Sequence, residues 1–220
     1  MGRSLFSEIT KITLKIFFDL DGPILDVSKR YYRVFSDICG DKIDISRKDF
    51  WELKKEKADW KKIFKEAKPN FKVNGFRELW LKNIEMRKYL ALDTLQPQAK
   101  KVLFSLSKKY PLFLLSLRQS KANLFWQVKK IGINKYFKKI IHCQHHKSPP
   151  WAVKAELIKR YLLAGEQALI VGDTEVDIRA AKLARIKSIA VNCGIRSEQL
   201  LLKEKPGVLI SDIRSLVKFI

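Results

Sequence analysis

Two groups of acidic residues in this 220-residue chain could form a metal-dependent site. Asp19 and Asp21 follow a short apolar run and are two residues apart, so an extended backbone would point both carboxylates the same way. Asp173 and Asp177 follow another apolar run about 150 residues later. Taken singly, each group is typical of a turn or a helix cap. Clustered carboxylates repel one another, and a hard cation with oxygen ligands, such as magnesium, would relieve that repulsion. Together the two acidic groups favour a magnesium site.

The apolar runs before these residues are predicted to be strands of a parallel sheet. A loop at the carboxyl end of a parallel strand is where such sheets bind ligands. Helical patterns begin near Pro97, at a Ser120 cap and near Trp151, the last ending about Ala164 with Gly165 as its cap. This alternation predicts an α/β domain with a parallel sheet. The predicted strands span residues 14–18, 112–115, 139–141, 168–171, 188–191 and 208–210.

The stretch from residue 27 to residue 93 breaks this alternation and is predicted to be a helical insert. Gly40 is a predicted helix stop, and Ser46 with Asp49 resembles a capping box. Its aromatic residues are expected to form its own core. The predicted division is a core of residues 1–26 and 94–220 with an insert of 27–93. Apolar stripes at helical spacing are Tyr31, Val34, Phe35 and Ile38; Trp60, Ile63, Phe64 and Ala67; and Phe76, Leu79, Trp80 and Ile84.

The formal net charge of +22 has two interpretations. A basic surface attracts polyanions such as nucleic acid. The alternative, which we favour, is lysine spread evenly over a solvated surface, because the lysines are scattered and no nucleic-acid-binding motif accompanies them. Nucleic acid stays an alternative partner.

The cysteines and the hydropathy of the chain predict a cytoplasmic protein. Three cysteines, far apart and odd in number, indicate reduced thiols. No apolar run is long enough to cross a bilayer, and residues 1–10 lack the features of a signal peptide. The spacing of His142, Cys143, His145 and His146 matches no structural zinc pattern, so we expect a polar loop there. The sequence does not indicate an oligomeric state.

The order of these features resembles the haloacid dehalogenase superfamily. Its Asp-x-Asp-Gly motif after the first strand is matched by residues 19–22, and its Gly-Asp-x-x-x-Asp motif by residues 172–177. Ser116 matches the Ser or Thr that ends an apolar strand. Residues 178–184 and 189–194 are similar to the phosphoglycolate-phosphatase-like branch. The resemblance implies a Rossmann-like parallel-sheet core with a helical cap inserted after the first strand.

The resemblance also implies roles for these residues. Asp19 would attack phosphorus to form an aspartyl phosphate, and Asp21 would protonate the leaving oxygen and then deprotonate water. Mg²⁺ would be held by Asp19, the Asp21 carbonyl and Asp173, with Asp177 behind them or coordinating through water. Ser116 would donate a hydrogen bond to a phosphoryl oxygen. The presence of Asp21 favours phosphoryl transfer over cleavage of a carbon–halogen bond, which needs no such acid.

Two lysines are candidates for neutralising the phosphoryl group. Lys154 begins a Lys-x-x-x-Leu helical pattern, whereas Lys147 precedes Pro149–Pro150 as in the Lys-Pro form of the motif. We favour Lys154 as the catalytic lysine, because a helix positions a side chain more rigidly than a loop, and keep Lys147 as a substrate-binding candidate. Arg118, where many relatives have Asn, is a candidate phosphate contact. Arg185 replaces a helix-ending glycine, and its left-handed conformation would cost about 1 kcal/mol.

The predicted function is magnesium-dependent hydrolysis of a small phosphate monoester, such as phosphoglycolate or another phosphorylated metabolite. The cap would exclude water and select the leaving group. A phosphotransferase of the phosphoglucomutase type would keep the same motifs. A third alternative is a phosphatase or binding protein acting on nucleic acid or nucleotides, for which steep salt dependence of oligonucleotide binding would be the sign.

Overall fold

Six parallel strands form the central sheet of the computed structural model, which describes residues 14–40, 43–67, 75–143 and 148–220. Its order is β5-β4-β1-β6-β7-β8, and each strand lies where an apolar run predicted it. A separate antiparallel pair, β2 and β3, was not predicted, because two residues are too few to give a pattern. The strands are β1 (Lys15–Phe18), β2 (Leu25–Asp26), β3 (Thr94–Leu95), β4 (Leu112–Ser116), β5 (Lys139–His142), β6 (Ala168–Gly172), β7 (Lys187–Val191) and β8 (Val208–Ile210).

Strand β1 lies in the middle of the sheet and is buried on both faces. Phe18 pairs with Leu114 of β4 on one side and with Val171 of β6 on the other. Ile16 and Phe18 pack into one apolar cluster, and Phe17 packs into a second cluster on the opposite face. This register brings the residues that follow β1, β4 and β6 to one edge of the sheet, because parallel strands end on the same side.

The helices follow the predicted pattern with one clear correction. Ser120 accepts a hydrogen bond from the Asn123 backbone N–H, and Gly132 follows the helix end with φ of 72°. The helix predicted to reach Ala164 instead ends at Lys159. The helices are α1 (Ser28–Cys39), α2 (Arg47–Lys55), α3 (Trp60–Ala67), α4 (Phe76–Asn83), α5 (Arg87–Leu90), α6 (Ala99–Ser107), α7 (Lys121–Lys130), α8 (Pro150–Lys159), α9 (Glu175–Ala184) and α10 (Glu198–Lys203), with 3₁₀ turns at Asn134–Tyr136 and Ile213–Lys218.

The insert after β1 is helical, from α1 to α5, and has a core of its own. Phe35 is fully buried and stacks on Phe50 with ring centroids 4.8 Å apart. Trp60 lies 4.6 Å from Phe76 and 4.8 Å from Trp80 by the same measure. The aromatic stripes of the sequence therefore pack against one another, which confirms that they form a core. We refer to α1–α5 as the cap.

Two residues at helix ends adopt the predicted conformations. Ser46 caps α2 by accepting a hydrogen bond of 3.1 Å from the Asp49 N–H. Arg185 ends α9 with φ of 58°, the left-handed conformation that a glycine would adopt more easily. None of the three cysteines forms a disulfide. Among the described residues, no helix combines the length and the apolarity needed to cross a membrane.

Candidate active site

Asp19 lies directly after β1, at the sheet edge. Its backbone N–H donates to the Val171 carbonyl at 2.9 Å, which continues the pairing with β6. Its side chain accepts from the Leu20 N–H at 2.8 Å through Oδ1, and Oδ2 lies 2.8 Å from Lys154 Nζ. Burial raises the pKa of Asp19 to about 6; Lys154 opposes this rise and the Asp177 carboxylate adds to it. A carboxylate held in this position is available to bind a cation or attack an electrophile.

Asp173 follows β6 and is fully buried between two glycines. A Cβ placed on Gly22, whose φ is +101°, or on Gly194 would lie 2.0 Å from Asp173 Oδ2. Any side chain at either glycine would therefore displace the Asp173 carboxylate. Burial, and then repulsion from Asp19 and Asp177, raise the pKa of Asp173 well above its usual range.

Asp177 is in the first turn of α9, on the side of Lys154. Its Oδ2 accepts from the Thr174 hydroxyl at 2.8 Å and from the Thr174 N–H at 3.2 Å, which forms a capping box. Its Oδ1 lies 2.6 Å from Lys154 Nζ. Both oxygens of Asp177 thus have protein partners. This suits a residue that supports the metal ligands instead of binding the metal directly.

The carboxylates of Asp19, Asp173 and Asp177 form a group that fits a divalent cation. One oxygen from each lies within 4.8 Å of the others. Asp173 Oδ1 is buried and has no hydrogen-bond partner among the described residues. A buried carboxylate oxygen without a partner costs free energy that an oxygen-seeking cation would recover. The donor set, all oxygen, suits Mg²⁺.

Lys154 is buried in α8 and bridges two of these carboxylates, through contacts with both Asp19 and Asp177. Burial disfavours its charged form, but Asp177 and Asp19 prevail and raise the pKa of Lys154 above that of an exposed lysine. The lysine therefore carries a fixed positive charge beside Asp19. Lys147, the other candidate, lies outside the described residues, as do His145 and His146.

Asp21 points toward two buried arginines. Arg118 contacts it through Nη2 and, at 3.3 Å, through Nε; Arg30 Nη2 lies 2.8 Å from its Oδ2. Burial would raise the pKa of Asp21, but Arg118 and Arg30 outweigh it and hold that pKa below its usual range. The side chain of Asp21 lies outside the carboxylate triad, so its expected part in metal binding, through the backbone carbonyl, stays a prediction.

The two arginines belong to a buried ionic cluster that sequence reasoning missed. Arg30 Nε lies 3.1 Å from Asp93 Oδ1, and Gln127 Nε2 donates to Asp93 Oδ2 at 2.8 Å. Arg118 Nη1 in turn donates to the Gln127 side chain. The sequence did carry a signal for this cluster, which is a polar residue on an otherwise apolar helix face. Arg30 precedes Val34 by one turn, and Gln127 lies on the buried face of α7.

A cavity of about 260 Å³ is lined both by residues of this site and by residues of the cap. Ser116, buried at the end of β4, lines it, and Tyr31 and Glu85 line it from the cap side. Burial raises the pKa of Tyr31 far above its usual value, so its hydroxyl stays protonated. The other lining residues are Asp19, Asp21, Leu117, Arg118, Pro150, Lys154, Thr174, Val176 and Ile195.

The cap also contacts the core beside this cavity. Lys57 Nζ lies 2.7 Å from Glu175 Oε1, and Arg196 Nε lies 2.9 Å from Glu175 Oε2. The Ser197 N–H donates to the Lys55 carbonyl at 3.1 Å. The residue that begins α9 therefore joins the end of α2 to the loop after β7.

Comparison with known proteins agrees with this arrangement. The family model for haloacid dehalogenase-like hydrolases matches residues 16–191. A protein named "Putative pyrophosphatase PpaX" from Caldanaerobacter subterraneus is 36% identical over 98 residues, 42% of this chain and 43% of that one. A phosphoglycolate phosphatase from Pseudomonas fluorescens is 32% identical over 90 residues, 40% of this chain and 33% of that one. The matches thus span less than half of either relative.

A solved structure shares the fold over nearly the whole chain. A haloacid dehalogenase-like family hydrolase from Streptococcus pneumoniae superimposes with a TM-score of 0.67 at 22% identity, covering 94% of this chain and 98% of that one. The family model covers most of the chain. The chain therefore belongs to the haloacid dehalogenase-like hydrolase family.

Proposed function

We propose that this protein is a magnesium-dependent phosphatase that hydrolyses a small phosphate monoester through a phosphorylated Asp19. The observation that carries the proposal is the position of Asp19, which lines the cavity, lies 2.8 Å from Lys154 and shares the carboxylate triad. Phosphoryl transfer requires a nucleophile beside a fixed cation and a metal-binding group, and Asp19 belongs both to the cavity and to the carboxylate triad.

Asp19 and Asp173 are the proposed carboxylate ligands of Mg²⁺, with Asp177 behind them. The partnerless Asp173 Oδ1 and the mutual repulsion of the triad support this assignment. When bound, Mg²⁺ supplies charge neutralisation at the phosphoryl oxygens. Asp177 is held by Thr174 and Lys154, and it would fix the position of Lys154 relative to the metal site.

In the first step an Asp19 carboxylate oxygen bonds to phosphorus while the bond from phosphorus to the leaving oxygen breaks. Lys154, and a hydrogen bond from the Ser116 hydroxyl, would stabilise the charge on the transferring group. Asp21 would give a proton to the leaving oxygen. That donation needs Asp21 to be protonated, which a loosening of its contacts with Arg118 and Arg30 would favour.

In the second step water attacks phosphorus of the Asp19 phosphate and restores the carboxylate. Asp21 would accept the proton of that water. The contacts with the two arginines keep Asp21 ionised, which is the form that can accept this proton, and loosening of these contacts would also make it a stronger base. Inorganic phosphate is the second product, after the dephosphorylated leaving group.

The substrate is proposed to be small. A cavity of about 260 Å³, closed partly by Tyr31 and Glu85 of the cap, has room for a phosphoryl group and a short leaving group. The similarity to a phosphoglycolate phosphatase makes phosphoglycolate a reasonable first compound to test. Transfer to a sugar phosphate instead of water uses the same residues, so product analysis must separate the two.

The test is phosphate release from an aryl phosphate and a panel of small phosphate esters, with Mg²⁺ and with EDTA. We expect turnover with Mg²⁺ only, and a loss of at least about 1,000-fold in Asp19→Asn. Asp59→Asn is the matched control, because Asp59 is an exposed helix cap in which Asn serves equally well. If neither the wild type nor Asp59→Asn releases phosphate from any ester with Mg²⁺, the general phosphatase proposal is wrong.

A further inference from the structure

Residues 94–155 carry more than half of the formal net charge of this protein, +13 of +22, because acidic residues are absent from them. Residues 94–155 contain 13 Lys and Arg residues and no Asp or Glu, although the whole chain has 23 acidic residues. The described part of this segment includes α6, β4, α7 and β5, the last of which is an edge strand of the sheet. Ten of its lysines are exposed in the described part of the chain. Lys and Arg are as frequent in this segment, at 13 of 62 residues, as in the whole chain, at 45 of 220, so its excess of positive charge comes from the absence of carboxylates and not from a clustering of lysines.

A groove follows β5 on the outside of the sheet. It consists of two hollows, of about 660 and 250 Å³, that share Lys139 and Ile140 in their walls. The described residues that line the two hollows include no carboxylate. Arg160 is paired with Glu156 on its own helix, so lysines are the main cations. The cationic lining residues are Lys121, Lys129, Lys138, Lys139 and Arg160.

Aromatic rings accompany these lysines on the surface. Phe125 is 41% exposed and lines the larger hollow together with Trp126. Phe104 on the neighbouring helix α6 is 49% exposed, and Lys108 Nζ lies 4.1 Å from the centroid of its ring. Exposed apolar rings that lie together beside charged side chains can mark a binding surface, and Phe125 and Trp126 lie together in this way.

We propose that the groove along β5, between the lysines and Phe125, binds single-stranded nucleic acid. Proteins that bind single strands combine a positive groove that follows the phosphates with aromatic rings on which bases stack. An acidic polypeptide would use the charge but has no flat bases for the rings. A duplex would offer phosphates but keeps its bases stacked inside.

The groove is distinct from the proposed catalytic cavity. The two share no lining residue. His142, at the end of β5, pairs in register with Ser116 of β4, so the groove approaches the catalytic edge of the sheet without entering it. Binding in the groove can therefore be tested independently of phosphatase activity.

The experiment is fluorescence anisotropy of a labelled, mixed-sequence 15-nucleotide single strand with the full chain over a series of salt concentrations. Two triple variants lose the same charge: Lys129→Gln with Lys138→Gln and Lys139→Gln in the groove, and Lys48→Gln with Lys187→Gln and Lys203→Gln elsewhere on the exposed surface. The plot of log binding constant against log salt should become less steep by about 2 in the groove variant, because each of the three lost phosphate contacts contributes about 0.7 to the slope. The control triple should keep the wild-type slope and affinity.

Phe125→Ala tests the stacking, and its affinity should fall roughly 10-fold with the salt slope unchanged. Phosphate release by all these variants should equal that of the wild type, since none of the residues lines the catalytic cavity. Equal losses in the two triple variants would overturn the assignment of the surface. Absence of binding at 50 mM salt would overturn the proposal, as would tighter binding of poly-glutamate or of a duplex of the same length.

Discussion

Arg118 already has partners before any substrate binds, because its guanidinium contacts both Asp21 and Gln127. The sequence suggested that this residue touches phosphate, and that role stays a prediction. The geometry favours a positioning role, in which the planar fork of Arg118 sets the orientation of the Asp21 carboxylate. The two roles differ in the kinetic constant that they affect.

We predict that Arg118→Lys, which keeps the charge but loses the fork, lowers kcat about 10-fold or more and leaves KM within about twofold. Arg33→Lys, an exposed position on α1, is the control and should resemble wild type. Steady-state kinetics on the best substrate of the panel would decide. A raised KM at unchanged kcat would favour the phosphate contact instead.

Lys154 contacts two buried carboxylates, Asp19 and Asp177, in addition to its proposed role toward the substrate. We predict that Lys154→Met abolishes detectable turnover and destabilises the protein by about 3–5 kcal/mol in EDTA, because it leaves buried carboxylates uncompensated. Lys159→Met, an exposed lysine of the same helix, should change neither quantity appreciably. Urea unfolding and phosphate release measure the two effects. A variant as stable as wild type would contradict the structural role of the lysine.

At the scale of elements, the contact between α2 and the start of α9 joins the cap to the core. Glu175 is the central residue, with Lys57 on one side and Arg196 on the other. Although burial acts the other way, Arg196 and Lys57 lower the pKa of Glu175 to about 2. A depressed carboxyl pKa contributes stability that is present above pH 4.5 and lost as the pH falls toward 2.

We therefore predict that Glu175→Gln costs about 2 kcal/mol at pH 7 and progressively less as the pH falls below 4.5. Denaturant unfolding would show the same difference between wild type and variant at pH 7 and 5 and a smaller one at pH 3.5. Glu156→Gln is the control, since that glutamate pairs with Arg160 on the exposed face of α8. A difference that stays constant with pH would rule out the ionised contact as its source.

At the scale of the whole molecule, the carboxylate triad should couple metal binding to stability. Mg²⁺ at 100 times its Kd should stabilise the folded protein by about 2.7 kcal/mol. We predict that this raises Tm by about 5–10 °C for a chain of this size. Asp173→Asn should melt higher than wild type in EDTA, because it removes a carboxyl whose ionisation is opposed by burial and by Asp19 and Asp177, and should lose the response to Mg²⁺. Differential scanning fluorimetry measures both. A wild-type Tm insensitive to Mg²⁺ would contradict the metal assignment.

The sequence predicted most of the scaffold and the residues that face the cavity from the sheet edge. Strand positions followed from short apolar runs, and the caps at Ser46 and Ser120 from local side-chain chemistry. The cluster of Arg30, Asp93 and Gln127 was missed because its partners come from distant parts of the chain. Local patterns report which face of a helix is buried, whereas ionic contacts between elements depend on how those elements pack.

The central position of β1 has a consequence for biosynthesis. Its two neighbours, β4 and β6, begin about 95 and 150 residues after β1 ends, so β6 is translated roughly 8–30 s later at ribosomal rates. The cap helices lie between β1 and β4 and can fold through local contacts during that interval, whereas β1 waits for non-local pairing. Asp19 is thus among the earliest described residues to be translated, yet its surroundings are completed only when β6 and α9 join the sheet. Early chain termination should yield a folded cap and an unpaired, aggregation-prone Lys15–Phe18 segment.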